Sequence, residues 1–156
     1  MIRSKTLMMY DGKTLQRFTE RAMENYELLT KYETKYDITI TLCTLCGILS
    51  ILDDKARKDI FVDFKIPKYI EPLPHFSIAS GKDNGCKNLA IIRHFRNSLC
   101  HFKLDGTHIK PNTEQQIEEI IFEDYFDGQL KFSCTLKADQ IKQLLIDISN
   151  HIIKQH

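Results

Sequence analysis

The sequence lacks an apolar run long enough to span a bilayer, and residues 1–13 lack the apolar core of a signal peptide. It also lacks an excess of either charge, since 22 Lys and Arg stand against 21 Asp and Glu, a net charge of +1. No global field therefore attracts the chain to nucleic acid or to an anionic membrane, and any RNA contact must come from a local patch. We expect a cytoplasmic protein with no membrane partner.

The cysteines do not form the framework of a secreted protein, because their number, five, is odd and their spacing is irregular. Cys43 and Cys46 form a C-x-x-C pair, but a four-ligand zinc site needs a second local pair. Because the pair lies in an apolar stretch, we interpret both as small buried side chains. We find no P-loop, no Rossmann glycine pattern and no nucleophile elbow. We therefore expect no metal and no cofactor.

Helical periodicity dominates the first half of the chain. At 156 residues with 42% hydrophobic residues, the chain is predicted to form a single domain, 1–156, with a real core. Residues 13–35 predict an amphipathic helix, and residues 38–52 predict an apolar helix, central or shared between subunits. Alternation at the start of the second stretch also fits a strand, although the apolar run exceeds strand length. Residues 53–64 predict a helix end or a short separate helix before a proline-rich loop.

The second half combines helices with hairpins. A helix is predicted over residues 85–101, capped by Ser80 or Asn84, followed by a hairpin turn at 104–107. A second hairpin pairs residues 117–125 with 129–136 around a three-residue loop, in a register that we expect to match three pairs: Phe122 with Phe132, Ile120 with Cys134, and Glu123 with Lys131. Apolar spacing over 141–152 predicts a C-terminal helix. The fold class is therefore mainly α with a small antiparallel β part (α+β).

Candidate functional residues concentrate on the helix predicted over 85–101. At about 100° per residue, Arg93, Asn97 and His101 align on one side, and the apolar residues share the other: Ile91, Ile92, Phe95, Leu99 and Phe102. A fixed cation, an amide and a proton carrier titrating near neutrality suit the handling of phosphate. The alternative is a plain helix end, with His101 near the C-terminus and with Arg96 and Asn97 solvated. We expect the remaining histidines, His108 among them, to lie at the surface.

Arg96, Asn97 and His101 resemble the R-[polar]-x3-H motif of the HEPN superfamily, all-helical domains of which many are metal-independent ribonucleases. The hairpin directly after the motif is similar to that of some small plasmid-borne and phage-borne HEPN proteins. The resemblance implies a HEPN-like helical bundle with β-hairpins between the motif helix and the C-terminal helix. It also implies an endoribonuclease that uses the 2′-hydroxyl of its RNA substrate as nucleophile, in the setting of a toxin or an antiviral defence effector.

The resemblance implies a role for each motif residue. His101 is the expected general acid or base, Arg96 the cation for the scissile phosphate, and Asn97 the group that orients the imidazole or the substrate. The expected substrate-binding residues are Arg93, His94 and Lys103. Arg96 and His101 project about 140° apart on one helix. A homodimer that brings two motif helices together would supply both to a shared cleft, as the HEPN family is understood to do.

The alternative function is a non-catalytic HEPN-like module that binds RNA or a nucleotide for regulation. The HEPN toxins that are silenced by nucleotidylation carry a tyrosine two residues after the motif histidine, where this sequence has Lys103. The sequence therefore argues against that form of control. It identifies neither an antitoxin nor another regulatory partner.

Overall fold

Six helices and a three-stranded sheet form the part of the chain that this computed structural model describes, residues 12–32, 37–72, 75–101, 108–114 and 116–155. The helices there are α1 (Gly12–Tyr32), α2 (Asp37–Ser50), α3 (Asp54–Phe61), α4 (Ser80–Asp83), α5 (Lys87–Cys100) and α6 (Ala138–Lys154). The strands β1 (Ile109–Pro111), β2 (Ile117–Phe126) and β3 (Gln129–Lys137) form an antiparallel sheet in the order β1-β2-β3. The predicted fold class is confirmed.

The motif helix α5 lies at the centre of the fold and is buried on most of its sides. It packs against α2 and α3 on one side and against β2 on another. Phe95 makes edge contacts with Phe122 and Phe132 of the sheet, each at a centroid distance of 5.3 Å. The predicted apolar arc is buried over Ile91 to Leu99, but Arg93 and His94 are buried with it. The polar side of this helix is therefore largely inside the protein.

The apolar stretch that fitted both a helix and a strand is the helix α2. Two of its threonines are accommodated in the helix because their hydroxyls donate to backbone carbonyls in the preceding turn. Thr41 donates to the Asp37 carbonyl (2.7 Å) and Thr44 donates to the Ile40 carbonyl (2.9 Å). The next stretch is a separate short helix, α3. Its N-cap, Asp53, accepts a hydrogen bond from the backbone N–H of Ala56 at 2.7 Å. No described helix combines the length and apolarity needed to cross a membrane.

The predicted caps of the motif helix are wrong, and the helix begins at Lys87, two residues after its predicted start. Ser80 instead begins the short helix α4, and Asn84 ends it in a left-handed conformation (φ 51°). The residue before α5 is Cys86, which provides no side-chain cap. The extra turn between the proline-rich loop and α5 places Asp83 inside the protein, where it is fully buried.

The predicted β2–β3 register is also wrong. The loop has two residues, Asp127 and Gly128, both at positive φ (50° and 72°), as a type I′ turn requires. A bulge between Asp124 and Tyr125 adds a further shift, so the observed pairs are Phe122 with Cys134, Ile120 with Leu136 and Glu123 with Ser133. For the pairs on the far side of the bulge from the turn, the total shift of two residues keeps the side chains on their predicted faces. The predicted hairpin at 104–107 lies outside the described residues.

Candidate functional site

His101 lies where α5 meets the sheet. It is the C-cap residue of α5, its backbone N–H donates to the Asn97 carbonyl at 2.9 Å, and its side chain is exposed. It borders a cavity of about 130 Å³, which is also lined by Ser98, His108, Ile121, Glu123, Asp124 and Tyr125. It also borders a cleft of about 370 Å³, whose polar rim includes Lys82, Asn97, Asp124 and Lys131. His101 therefore stands between two adjoining depressions.

Asn97 and His94 both bind Asp124 of β2. The Asn97 amide donates to Asp124 Oδ2 at 3.0 Å, and His94 Nδ1 lies 2.7 Å from the same oxygen. Burial opposes ionisation of this carboxyl, but the hydrogen bonds from His94 and Asn97 outweigh burial and hold the pKa of Asp124 below its ordinary value. Asn97, predicted to orient the imidazole or the substrate, thus fixes the wall of the cleft beside His101.

His94 is fully buried, although the sequence placed it among the substrate-binding residues. Its Nε2 lies 2.7 Å from the Ser77 carbonyl oxygen, so both ring nitrogens face oxygen atoms of the protein. The ring also stacks on Phe132 at a centroid distance of 4.9 Å. His94 therefore joins α5 to β2 and to the segment before α4, and it supports the site from inside.

Arg93 forms a buried ion pair with Asp83. Its Nε and Nη2 lie 2.9 and 2.8 Å from the carboxylate, and Arg57 Nη1 reaches the same carboxylate at 3.1 Å. Burial opposes ionisation of Asp83, but hydrogen bonds from Arg93 and the Ala79 N–H, with the charges of Arg93 and Arg57, lower its pKa. The guanidinium predicted to bind a flanking phosphate is therefore engaged inside the protein.

Arg96 points to a different part of the molecule from His101. Its Nη1 donates to the Leu52 carbonyl at 3.0 Å and lies 3.8 Å from Asp54 Oδ1, at the corner between α2 and α3. It lines neither depression at His101. The divergence expected from helical geometry is present, so one chain does not bring Arg96 and His101 together. Lys103 lies outside the described residues.

His108 and Glu123 form a pair that the sequence pattern does not predict. His108 Nε2 lies 2.6 Å from Glu123 Oε2, and the Tyr125 hydroxyl donates to the same oxygen at 3.1 Å. Strand alternation places Glu123 and Tyr125 on one face of β2, which was the available signal. His108 lies close to them only because β1 pairs with β2, and the sequence pattern does not predict that pairing.

A family model described as HEPN pEK499 p136 matches residues 6–156. The chain belongs to this HEPN family. No curated protein and no solved structure matches it. The resemblance drawn from Arg96, Asn97 and His101 is thereby confirmed at the level of the family. Membership is compatible with a HEPN-type nuclease or with another RNA-related role.

The cleft beside His101 in this HEPN chain carries features suited to single-stranded nucleic acid. Tyr125 and Phe126 line it from the end of β2 and are 51% and 67% exposed. Lys82 and Lys131 line it from α4 and β3. Exposed aromatic rings stack on bases and lysines attract phosphates, so this edge of the cleft matches the chemistry of an RNA strand.

The C-x-x-C pair is only partly as predicted. Cys43 is exposed rather than buried, and Cys46 is half-buried. Burial raises the pKa of the Cys46 thiol, and the neighbouring Cys100 and Cys43 raise it further. Within the described residues no group of three or more His, Cys, Asp or Glu is arranged to hold a metal ion.

Proposed function

We propose that residues 1–156 form one HEPN domain that acts as a metal-independent endoribonuclease. The observation that most directly supports this proposal is the position of His101. Its exposed imidazole lies between a small cavity and a cleft lined with aromatic and cationic side chains. Attack by the substrate's own 2′-hydroxyl asks the protein only to move protons and to stabilise charge on the phosphate. His101 moves a proton, and the cleft holds the strand. Cleavage of cellular RNA suits a toxin or an antiviral defence effector.

The site is proposed to be completed by a second copy of the chain. Arg93 is bound to Asp83, and Arg96 lies on the other side of α5 from His101. A homodimer related by a two-fold axis would bring the partner's Arg96 to the cleft. The end of α5 suits this contact, because Cys100 and His101 are exposed while the middle of the helix is buried. The two motif helices would therefore meet through their C-terminal ends.

The chemistry predicts both the conditions and the products. We expect the protein to cleave RNA in the presence of EDTA and to produce fragments with 2′,3′-cyclic phosphate and 5′-hydroxyl ends. DNA of the same sequence should not be cleaved, because it lacks the 2′-hydroxyl. Purified protein incubated with a labelled RNA, and product ends identified by mass spectrometry, would measure this. A strict requirement for Mg²⁺, or 5′-phosphate products, would contradict the proposal.

The aromatic edge of the cleft predicts a loss of binding. Phe126→Ala should weaken binding of single-stranded RNA by about 1–3 kcal/mol, the range for one base stacked on an aromatic ring. Fluorescence anisotropy with a short labelled RNA would measure it. The matched control is Tyr32→Ala, since Tyr32 is an exposed ring on α1, 79% accessible. Equal affinities for these two variants would exclude the edge as the RNA-binding surface.

The alternative is a HEPN-like module that binds RNA or a nucleotide without cleaving it. One observation favours it, namely that within a chain the guanidiniums of Arg93 and Arg96 both bind protein groups. Comparing wild type with the His101→Ala variant distinguishes the two functions. If wild type and His101→Ala bind RNA equally and neither cleaves it, the protein is a binding module.

A further inference from the structure

We propose that Cys46 and Cys100 are a modification site, at which a reversible disulfide displaces His101 and switches the proposed ribonuclease off. Cys100 is the last residue of α5 and directly precedes His101. Cys46 lies on α2, one of the helices against which α5 packs. A covalent bond between the two helices would therefore act next to the proposed catalytic histidine. The expected loss of cleavage rests on the proposed function, whereas formation of the bond does not.

Three of the five cysteines meet where α2 contacts α5. Cys43 and Cys46 are three residues apart on α2, so they lie on the same side of that helix. Both line an apolar cavity of about 490 Å³, which Leu99 of α5 also lines. Cys100 follows Leu99, and its thiol is a hydrogen-bonding neighbour of the Cys46 thiol. The two sulfurs are therefore close enough to be joined by a small movement of the helices.

The two thiols differ in exposure, which gives them different roles in the reaction. Cys100 is exposed, whereas Cys46 is half-buried. Burial, and then the neighbouring thiols, raises the pKa of Cys46, so this side chain stays a neutral thiol near neutral pH. An oxidant therefore reaches Cys100 first, and Cys46 reacts with the oxidised product.

Hydrogen peroxide is a sufficient oxidant for this bond. The Cys100 sulfur attacks one peroxide oxygen, the O–O bond breaks, and the departing hydroxide takes the thiol proton, which leaves a sulfenic acid and one water. The Cys46 sulfur then attacks the sulfenic sulfur. The S–S bond forms as the S–O bond breaks, and the hydroxyl leaves with the Cys46 proton as a second water. The two thiols have thereby lost two electrons to the peroxide, and dithiothreitol reverses the bond by thiol–disulfide exchange.

The disulfide should move the end of α5 rather than α2. Leu45 and Ile48, which flank Cys46 on α2, are fully buried, whereas Cys100 and His101 are exposed. A disulfide is shorter than any contact between two free thiols, so its formation pulls the last turn of α5 toward α2. A misplacement of about 1 Å at a catalytic group can cost on the order of a hundredfold in rate. We expect oxidation to slow RNA cleavage by that order.

Peptide mapping tests the bond without reference to activity. The reduced protein is treated with hydrogen peroxide, its remaining thiols are blocked, and it is digested with trypsin. Trypsin releases Cys43 and Cys46 in one peptide, residues 36–55, and Cys100 in another, residues 97–103. The expected product joins these two peptides, and it should be lost in Cys46→Ala but kept in Cys43→Ala.

Three mapping results would overturn the inference. They are the absence of the joined product, its loss in Cys43→Ala but not in Cys46→Ala, and the peptide 97–103 joined to a second copy of itself. The last product would link Cys100 residues of two chains, and it would appear as a dimer on a non-reducing gel.

Cleavage rates test the switch itself. Wild type should become on the order of a hundredfold slower in peroxide and recover in dithiothreitol, whereas Cys46→Ala should keep its rate in both. The matched control is Cys86→Ala, because Cys86 is also half-buried but lies at the opposite end of α5. This control should respond to peroxide as wild type does. Equal losses in Cys46→Ala and wild type would show that peroxide acts elsewhere, which contradicts the switch.

The position of the His101 ring separates failure of the switch from failure of the proposed function. Nuclear Overhauser effects between this ring and the groups that line the cavity of about 130 Å³ should change when wild type is oxidised, but not in Cys46→Ala. If the reduced protein leaves RNA intact and this change is present, the ribonuclease proposal fails and the switch stands. If the reduced protein cleaves RNA and oxidation alters neither the ring contacts nor the rate, the switch fails and the ribonuclease stands.

Discussion

Mixing an Arg96→Ala chain with a His101→Ala chain is expected to restore RNA cleavage that neither chain has alone. Each site of the proposed homodimer takes Arg96 from one subunit and His101 from the other, so a mixed dimer contains one intact site. Random pairing at equal amounts makes half of the dimers mixed, which gives about a quarter of the wild-type activity. Each variant alone should be slower by on the order of a hundredfold or more.

The control for this mixture is a chain that carries both substitutions, paired with wild type. If Arg96 and His101 act across the dimer, this mixed dimer has no intact site, whereas a site within one chain would keep half of its activity. Subunits would be exchanged in mild denaturant, mixed dimers purified through two tags, and cleavage followed with a fluorogenic RNA. A monomer by light scattering that keeps full activity would contradict the shared site.

Removal of Asp83 is expected to be among the most destabilising substitutions in the protein. Asp83→Ala would leave Arg57 and Arg93 as buried charges without their shared carboxylate, which costs about 3–5 kcal/mol of unfolding free energy. The control is Asp54→Ala, since Asp54 also binds Arg57, at 3.4 Å, but is half exposed. Because the Asp54 carboxylate is half exposed, we expect its removal to cost at most about 1 kcal/mol. Urea unfolding curves of the three proteins would measure both effects.

The difference between wild type and Asp83→Ala should also depend on pH. In the folded protein the pKa of Asp83 lies below its ordinary value, so its contribution is complete above about pH 4, the range of an unfolded aspartate. It is lost as the pH falls through the folded pKa. The two unfolding free energies should therefore converge in acid. A constant difference from pH 7 to pH 3 would show that Asp83 acts through packing rather than through its charge.

Local periodicity was sufficient to predict the longer helices but neither the short helix α4 nor the partners of the polar residues on α5. The apolar residues of α2, α5 and α6 recur at spacings set by the helix itself, so their elements are visible in the sequence. Asp83 and Asp124, in contrast, reach α5 from a short helix and from a strand 30 residues after His94. From the sequence alone, Arg93 and His94 are therefore predicted to be open to substrate, because no nearby residue in the sequence opposes their charge.

The register of the sheet is a second feature that local sequence patterns do not predict. Asp127 and Gly128 form a type I′ turn, whereas the sequence pattern predicts a longer loop that also includes Phe126. The bulge after Asp124 has no residue signature of its own. For the same reason His108 was expected at the surface, because its neighbour Glu123 is brought to it only by the pairing of β1 with β2.

The bulge between Asp124 and Tyr125 divides the β2–β3 hairpin into two parts that tolerate amino-acid substitution to different degrees. On the inner side, Phe122 and Asp124 are fixed by their contacts with Phe95 and His94, so substitutions there disturb the core. Beyond the bulge, Tyr125 and Phe126 are exposed. Surface substitutions usually change stability by no more than about 0.5 kcal/mol. The side chains at the tip of the hairpin can therefore change, and with them the surface that borders the cleft, while the helix that carries His101 stays the same.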